Sequence, residues 1–128
     1  MKVLVVEDDP DIQIVLRMVL TRLGKCEVTL TMEGSKVVGM AKELRPDLIL
    51  LDMMLPEMSG LEIIQVLKAD EETRAIPVIF LTARAMPNEA HEVMALGALG
   101  YLAKPFDPMT LVPQINALLS PVGTVIGA

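Results

Sequence analysis

The sequence predicts an α/β fold: a three-layer sandwich in which a five-stranded parallel sheet is covered by five helices. Three observations lead there. Short apolar runs at 3–6, 48–51, 78–81 and 101–103 each stop at a polar residue. Helical patterns fill the intervals, and strands that alternate with helices imply right-handed βαβ crossovers. Hydrophobic residues make up 52% of the chain and the mean hydropathy is +0.52. A sheet buried on both faces accounts for this, because its strands need no polar alternation. A chain of 128 residues is one domain, expected over 1–120, with 121–128 as a C-terminal tail or the start of a linker.

The elements follow in order. Residues 3–6 form the first strand, and a helix begins near Pro10 with Ile12, Val15, Leu16, Val19, Leu20 and Leu23 at helical spacing and Gly24 as a stop. The β-branched stretch 27–31 is the second strand. A helix over 33–44 turns Val37, Val38, Ala41 and Leu44 inward, and Arg45-Pro46-Asp47 ends it. Residues 48–51 are the third strand, 56–60 break the chain, and 61–69 form the third helix. The fourth strand follows Pro77. Asn88 is expected to cap a fourth helix that Gly97 stops. The fifth strand is short, near 100–103. The fifth helix starts at Pro108 after Asp107 as cap, with Leu111, Ile115, Leu118 and Leu119 inward. Periodicity leaves the strand order open.

Composition narrows the function. A net charge of −6 and a pI near 4.7 repel nucleic acid, so direct binding of DNA or RNA is not expected. The single cysteine, Cys26, excludes an internal disulfide and lies in an apolar run, as a buried inert thiol would. Ten methionines point to a flexible aliphatic core, with an exposed methionine surface as the alternative. Residues 109–128 carry no charged side chain, but Pro113, Gln114, Asn116 and Pro121 argue for a docked helix with a loose tail over a membrane span. A strand pattern that starts at Lys2 leaves no room for a signal peptide, so the expected location is cytoplasmic.

In a parallel sheet all strands end on one edge, where open α/β sheets bind ligands. That edge gathers Glu7, Asp8, Asp9 and Asp52, the hydroxyl of Thr82 and the ammonium of Lys104. Close carboxylates repel, and a divalent cation that favours oxygen ligands relieves this, so Mg²⁺ (or Mn²⁺) is the expected cofactor. Asp9 can serve simply as a helix cap. Asp52 can be a plain turn residue, or a nucleophile that attacks phosphorus to give an acyl phosphate. Lys104 and Thr82 would then meet the phosphoryl oxygens.

These residues carry a family resemblance. Glu7-Asp8, Leu51-Asp52-Met53-Met54-Leu55-Pro56, Leu81-Thr82-Ala83 and Lys104-Pro105-Phe106 resemble the motif set of response-regulator receiver domains, over roughly 2–119. The resemblance implies a flavodoxin-like strand order 2-1-3-4-5 and phosphorylation of Asp52 by a sensor histidine kinase or a histidine phosphotransfer protein. It implies that Asp8 and Asp52 bind Mg²⁺, with the backbone carbonyl of Met54 as a further ligand and Glu7 acting through water. It makes Lys104 a phosphoryl contact, Thr82 the switch hydroxyl and Tyr101 a rotating aromatic switch. Met54 and Arg84, two residues beyond Asp52 and Thr82, should overhang the pocket mouth.

The leading expectation is a phosphoacceptor switch and not an enzyme in the ordinary sense. Its helix 4, strand 5 and helix 5 surface would bind a downstream protein, with the chain monomeric or weakly dimeric on phosphorylation. Glu7 stands where the family often has Asp, and the fifth helix lacks the charges with which some regulators pair. The alternative is a Mg²⁺-dependent aspartyl-phosphate phosphohydrolase. Such enzymes place a second acid two residues after the nucleophile, where this chain has Met54.

Overall fold

The computed structural model describes residues 1–83, 87–123 and 125–127, the side chains of 87–90 excepted. Along the chain run β1 (Lys2–Val6), α1 (Pro10–Arg22), β2 (Glu27–Thr31), α2 (Val37–Leu44), β3 (Leu48–Asp52) and α3 (Gly60–Ala69). Then come β4 (Val78–Thr82), α4 (Pro87–Ala95), β5 (Gly100–Ala103) and α5 (Leu111–Leu119). All strand pairs are parallel and the order is β2-β1-β3-β4-β5, as the resemblance implies.

Every position of β3 and β4 is buried. Successive side chains go to opposite faces. Leu4, Val6, Ile49, Leu51, Val78 and Phe80 pack under α2, α3 and α4 with Ala41, Ile63 and Val93. Val3, Val5, Leu48, Leu50, Ile79 and Leu81 pack under α1 and α5 with Leu16, Leu20 and Ile115. The continuous apolar runs are thus the cost of having two covered faces. Edge strand β5 alternates buried and exposed.

Helix starts are set by local chemistry. Asp9 caps α1 by accepting from the Asp11 N–H, with Pro10 in the first turn. Ser59 caps α3 by accepting from Glu62 N–H, which moves that helix one residue ahead of the expected start. α4 begins at Pro87, one residue before Asn88, whose side chain lies outside the described residues. The expected helix over 33–44 divides into a tight turn at Gly34–Lys36 and α2. A Cβ on Gly34 would lie 2.9 Å from Ile63 Cδ1 and 3.1 Å from Met58 Cβ, so a larger residue there would have to push the Ile63 side chain aside. The helix expected from Pro108 begins at Leu111. Asp107 caps the turn that leads into it, its carboxylate accepting from the Met109 N–H and its carbonyl from the Leu111 N–H at 3.1 Å.

Three further expectations are corrected. The core is built from Leu, Ile, Val and Phe; among the described residues Met53 is the buried methionine, while Met18, Met32, Met54, Met94 and Met109 are exposed. Leu23, expected inward, ends α1 and is half exposed. The segment after α5, expected to be loose, is docked at residues 126 and 127. Asn116 donates to the Ile126 carbonyl at 3.0 Å and accepts its N–H at 2.8 Å. Gly127 N–H donates to the Gly24 carbonyl at 2.8 Å, and Ile126 is buried beside Cys26. Gly24 stops α1 by fit: a Cβ there would sit 2.7 Å from the Leu20 carbonyl oxygen. Among the described residues no helix is long and apolar enough to cross a membrane.

Candidate functional site

The parallel sheet delivers the strand-end residues to one edge. Glu7 follows β1 and is fully buried. Its N–H donates to the Thr31 carbonyl at 3.1 Å, which extends the β1–β2 ladder by one rung. Its Oε2 accepts from the N–H groups of Asp8 at 3.0 Å and Asp9 at 3.2 Å. Gln13, one turn into α1, donates to the Glu7 carbonyl. Asp52 closes β3 at 4% exposure, and its Oδ1 accepts from the Met54 N–H at 3.1 Å.

Lys104 joins the two carboxylates. Its Nζ lies 2.5 Å from Glu7 Oε1 and 3.2 Å from Asp52 Oδ2. Glu7 Oε1 has no hydrogen-bonding partner among the described residues apart from that ammonium. The Lys104–Pro105 peptide bond is cis, and the Lys104 N–H donates to the Thr82 carbonyl at 2.8 Å. Glu7, half-buried Asp8 and Asp52 each offer an oxygen within 4.8 Å of the others. Burial first, and then Asp52, raises the Glu7 carboxyl from 4.5 to about 7. Burial works against the Lys104 ammonium, but Glu7 and Asp52 outweigh it and its pKa is raised. Three carboxylates against one ammonium leave a site short of positive charge, with oxygen donors of the kind Mg²⁺ and Mn²⁺ prefer.

Thr82 is buried at the end of β4, in register with Ala103. Tyr101 is paired with Phe80 on the edge strand and is 37% exposed. Met54 projects at the mouth, 81% exposed. Arg84 lies outside the described residues. Two contributors escape a reading by residue type. Gln13 secures the Glu7 carbonyl through a side chain that periodicity treats as ordinary helix surface. Gly60 brings α3 against the end of β3: a Cβ there would stand 2.7 Å from the Asp52 carbonyl oxygen and 2.8 Å from Phe80 Cε1. The Ser59-Gly60 pair ahead of an apolar helix is the signal for it.

A family model of the response regulator receiver domain matches residues 3–116. The chain belongs to this family. The receiver domain is 38% identical over 118 residues to the DNA-binding response regulator MtrA of Mycolicibacterium smegmatis, covering 92% of this chain and 50% of that protein. It is 41% identical over 118 residues to the phosphate regulon transcriptional regulatory protein PhoB of Klebsiella pneumoniae, covering 92% and 51%. It thus spans about half the length of these curated relatives. The chemotaxis response regulator CheY4 of Vibrio cholerae superposes with a TM-score of 0.85 at 31% identity, over 92% of this chain and 98% of that one.

Proposed function

We propose that the receiver domain is a signalling switch that accepts a phosphoryl group on Asp52 from a histidine kinase or histidine phosphotransfer protein. The observation that carries this is the Lys104 ammonium between Glu7 and Asp52, with Asp8 alongside. Asp52 is buried apart from its mouth and is held by the Met54 N–H. Its Oδ2, which lies against the Lys104 ammonium, can attack phosphorus in line while Lys104 meets the charge on the phosphoryl oxygens. Asp8, Asp52 and the Met54 carbonyl would hold Mg²⁺ or Mn²⁺, with Glu7 acting through water. When bound, the ion neutralises carboxylate and phosphoryl charge.

Thr82 would close on the phosphoryl group and Tyr101 would turn inward, which biases the α4–β5–α5 surface toward its bound form. The −6 charge supports a protein as the direct partner of this domain. The domain would act in the cytoplasm as a monomer or a weak phosphorylation-dependent dimer, formed by residues 1–120 with a C-terminal tail from 121 on that docks back on it through Ile126 and Gly127. Its only reactions would be gain and loss of its own phosphoryl group. Acetyl phosphate with Mg²⁺ should add one phosphoryl group by intact mass. Asp52→Asn and metal chelation should each abolish the addition, and labelling that survives Asp52→Asn refutes the assignment.

A further inference from the structure

Met54 differs from the other residues around Asp52 in combining a fixed backbone with a free side chain. Its N–H is bonded to Asp52 Oδ1, and its backbone bridges to Ser59. Its side chain is 81% exposed and lines a cleft of about 520 Å³ with Thr82, Ser59 and Leu61. We propose that the Met54 thioether is an oxidation site, through which a peroxide shortens the lifetime of the phosphoryl group on Asp52. This rests on Asp52 as phosphoacceptor.

Met54 is the most exposed methionine among the described residues, ahead of Met109, Met32, Met94 and Met18. The chain's one thiol, Cys26, is 6% exposed and donates to the Gly24 carbonyl. Burial raises its pKa, which withholds the reactive thiolate. Met53 is 9% exposed, and Met109, exposed to 78%, stands on the turn before α5. In the reaction the sulfur lone pair attacks one peroxide oxygen and the O–O bond breaks. A sulfur–oxygen bond forms, sulfur gives up two electrons, and the other oxygen leaves as water after proton transfer. Methionine sulfoxide is polar and is reduced back by methionine sulfoxide reductases.

The consequence lies in water placement. Hydrolysis of the acyl phosphate needs a water in line with the Asp52 oxygen that leaves. A thioether is a weak acceptor and cannot hold that water. A sulfoxide oxygen at the same mouth is a strong acceptor and can. One added hydrogen bond to the attacking water corresponds to about a fivefold faster loss of phosphate.

The test uses the full chain. A limited dose of hydrogen peroxide should add about 16 Da at Met54, located by peptide mapping. Oxidised and untreated protein are then labelled with acetyl phosphate and Mg²⁺, the donor is removed, and phosphate loss is followed. The parent should decay about fivefold faster after oxidation, and a sulfoxide reductase should restore the slow rate. Met54→Leu keeps the apolar bulk and every other methionine, and its two rates should be equal. The proposal is overturned if Met54 is spared while Met109 or any other methionine is oxidised, if the parent's rate does not change, or if Met54→Leu accelerates as much. If untreated parent takes no label at Asp52, the phosphoacceptor reading falls and this inference falls with it. The mapping needs no label, so the two failures are distinguishable.

Discussion

Replacing Glu7 by Gln should make the metal-free receiver domain more stable at pH 8. Glu7 is fully buried, and burial with Asp52 beside it lifts its carboxyl from 4.5 to about 7. The folded state therefore holds that proton more tightly than the unfolded state does. The stabilisation is complete below about pH 4.5, fades as pH rises, and is gone above about 7. At 1.36 kcal/mol per pKa unit, the interval amounts to roughly 3 kcal/mol lost to the parent at pH 8. Glutamine carries no charge at any of these values, and its carbonyl can still accept the Asp8 and Asp9 N–H groups. It gives up the ion pair with Lys104, so the expected net gain is roughly 1–3 kcal/mol. Urea unfolding with a chelator at pH 5 and pH 8 reads this directly, and the gap should shrink at pH 5. Saturating Mg²⁺ should raise the parent more than the variant, since an ion that binds only the folded state stabilises it. A variant no more stable than the parent at pH 8, or a gap independent of pH, refutes the reasoning.

Three other outcomes are expected. Gly60→Ala should cost roughly 1–3 kcal/mol and weaken labelling at Asp52, because the added carbon meets the Asp52 carbonyl at 2.7 Å; unchanged thermal unfolding would contradict this close approach. Ile126→Ala should cost about 2 kcal/mol, and with Asn116→Ala the combined loss should be less than the sum of the two, since both hold the same tail residue; full additivity in a double-mutant cycle argues against docking as a unit. Thr82→Ala should still accept a phosphoryl group but lose the phosphate-dependent NMR shifts in α4; parent-like shifts there sink the coupling of Thr82 to that helix.

Four of the five strands were legible as apolar runs with a sharp polar end, and β2 by its β-branched content. The site was legible for the same reason, since parallel strands deliver their last residues to one edge. What escaped depends on contacts between distant residues. Lys104 reaches Glu7 across the edge from a strand that is not β1's neighbour, which no spacing along the chain encodes. The tail docks because Asn116 matches the backbone of Ile126 and because Gly24 and Gly127 let two backbones approach, and none of this has a period. The second helix divides at Gly34–Lys36, where Gly34 comes close to Ile63 and Met58, residues far along the chain. Methionine misled because its count says nothing about which face it occupies. Here it decorates the surface that the branched aliphatic residues leave uncovered.

The two apolar faces of the sheet leave a problem of registration that the polar strand ends solve. A slip of one residue sends every side chain of a strand to the other face. Where one face is wet that slip is forbidden by hydrophobicity, but β3 and β4 are buried at all ten of their positions, five in each strand. Exchanging Leu50 for Leu51 across the sheet changes little apolar burial. Advancing β3 by one place would carry Asp52 into the position of Leu51, between Val6 and Phe80. A carboxylate stranded there without Lys104 would cost several kcal/mol. At the opposite end Lys2 and Asp47 exchange two hydrogen bonds, each of 2.8 Å, and index β1 against the start of β3. The aspartate proposed to receive the signal is therefore also a stop that tells its strand where to halt. Substituting it with an apolar residue should loosen the alignment of the sheet as well as silence the site.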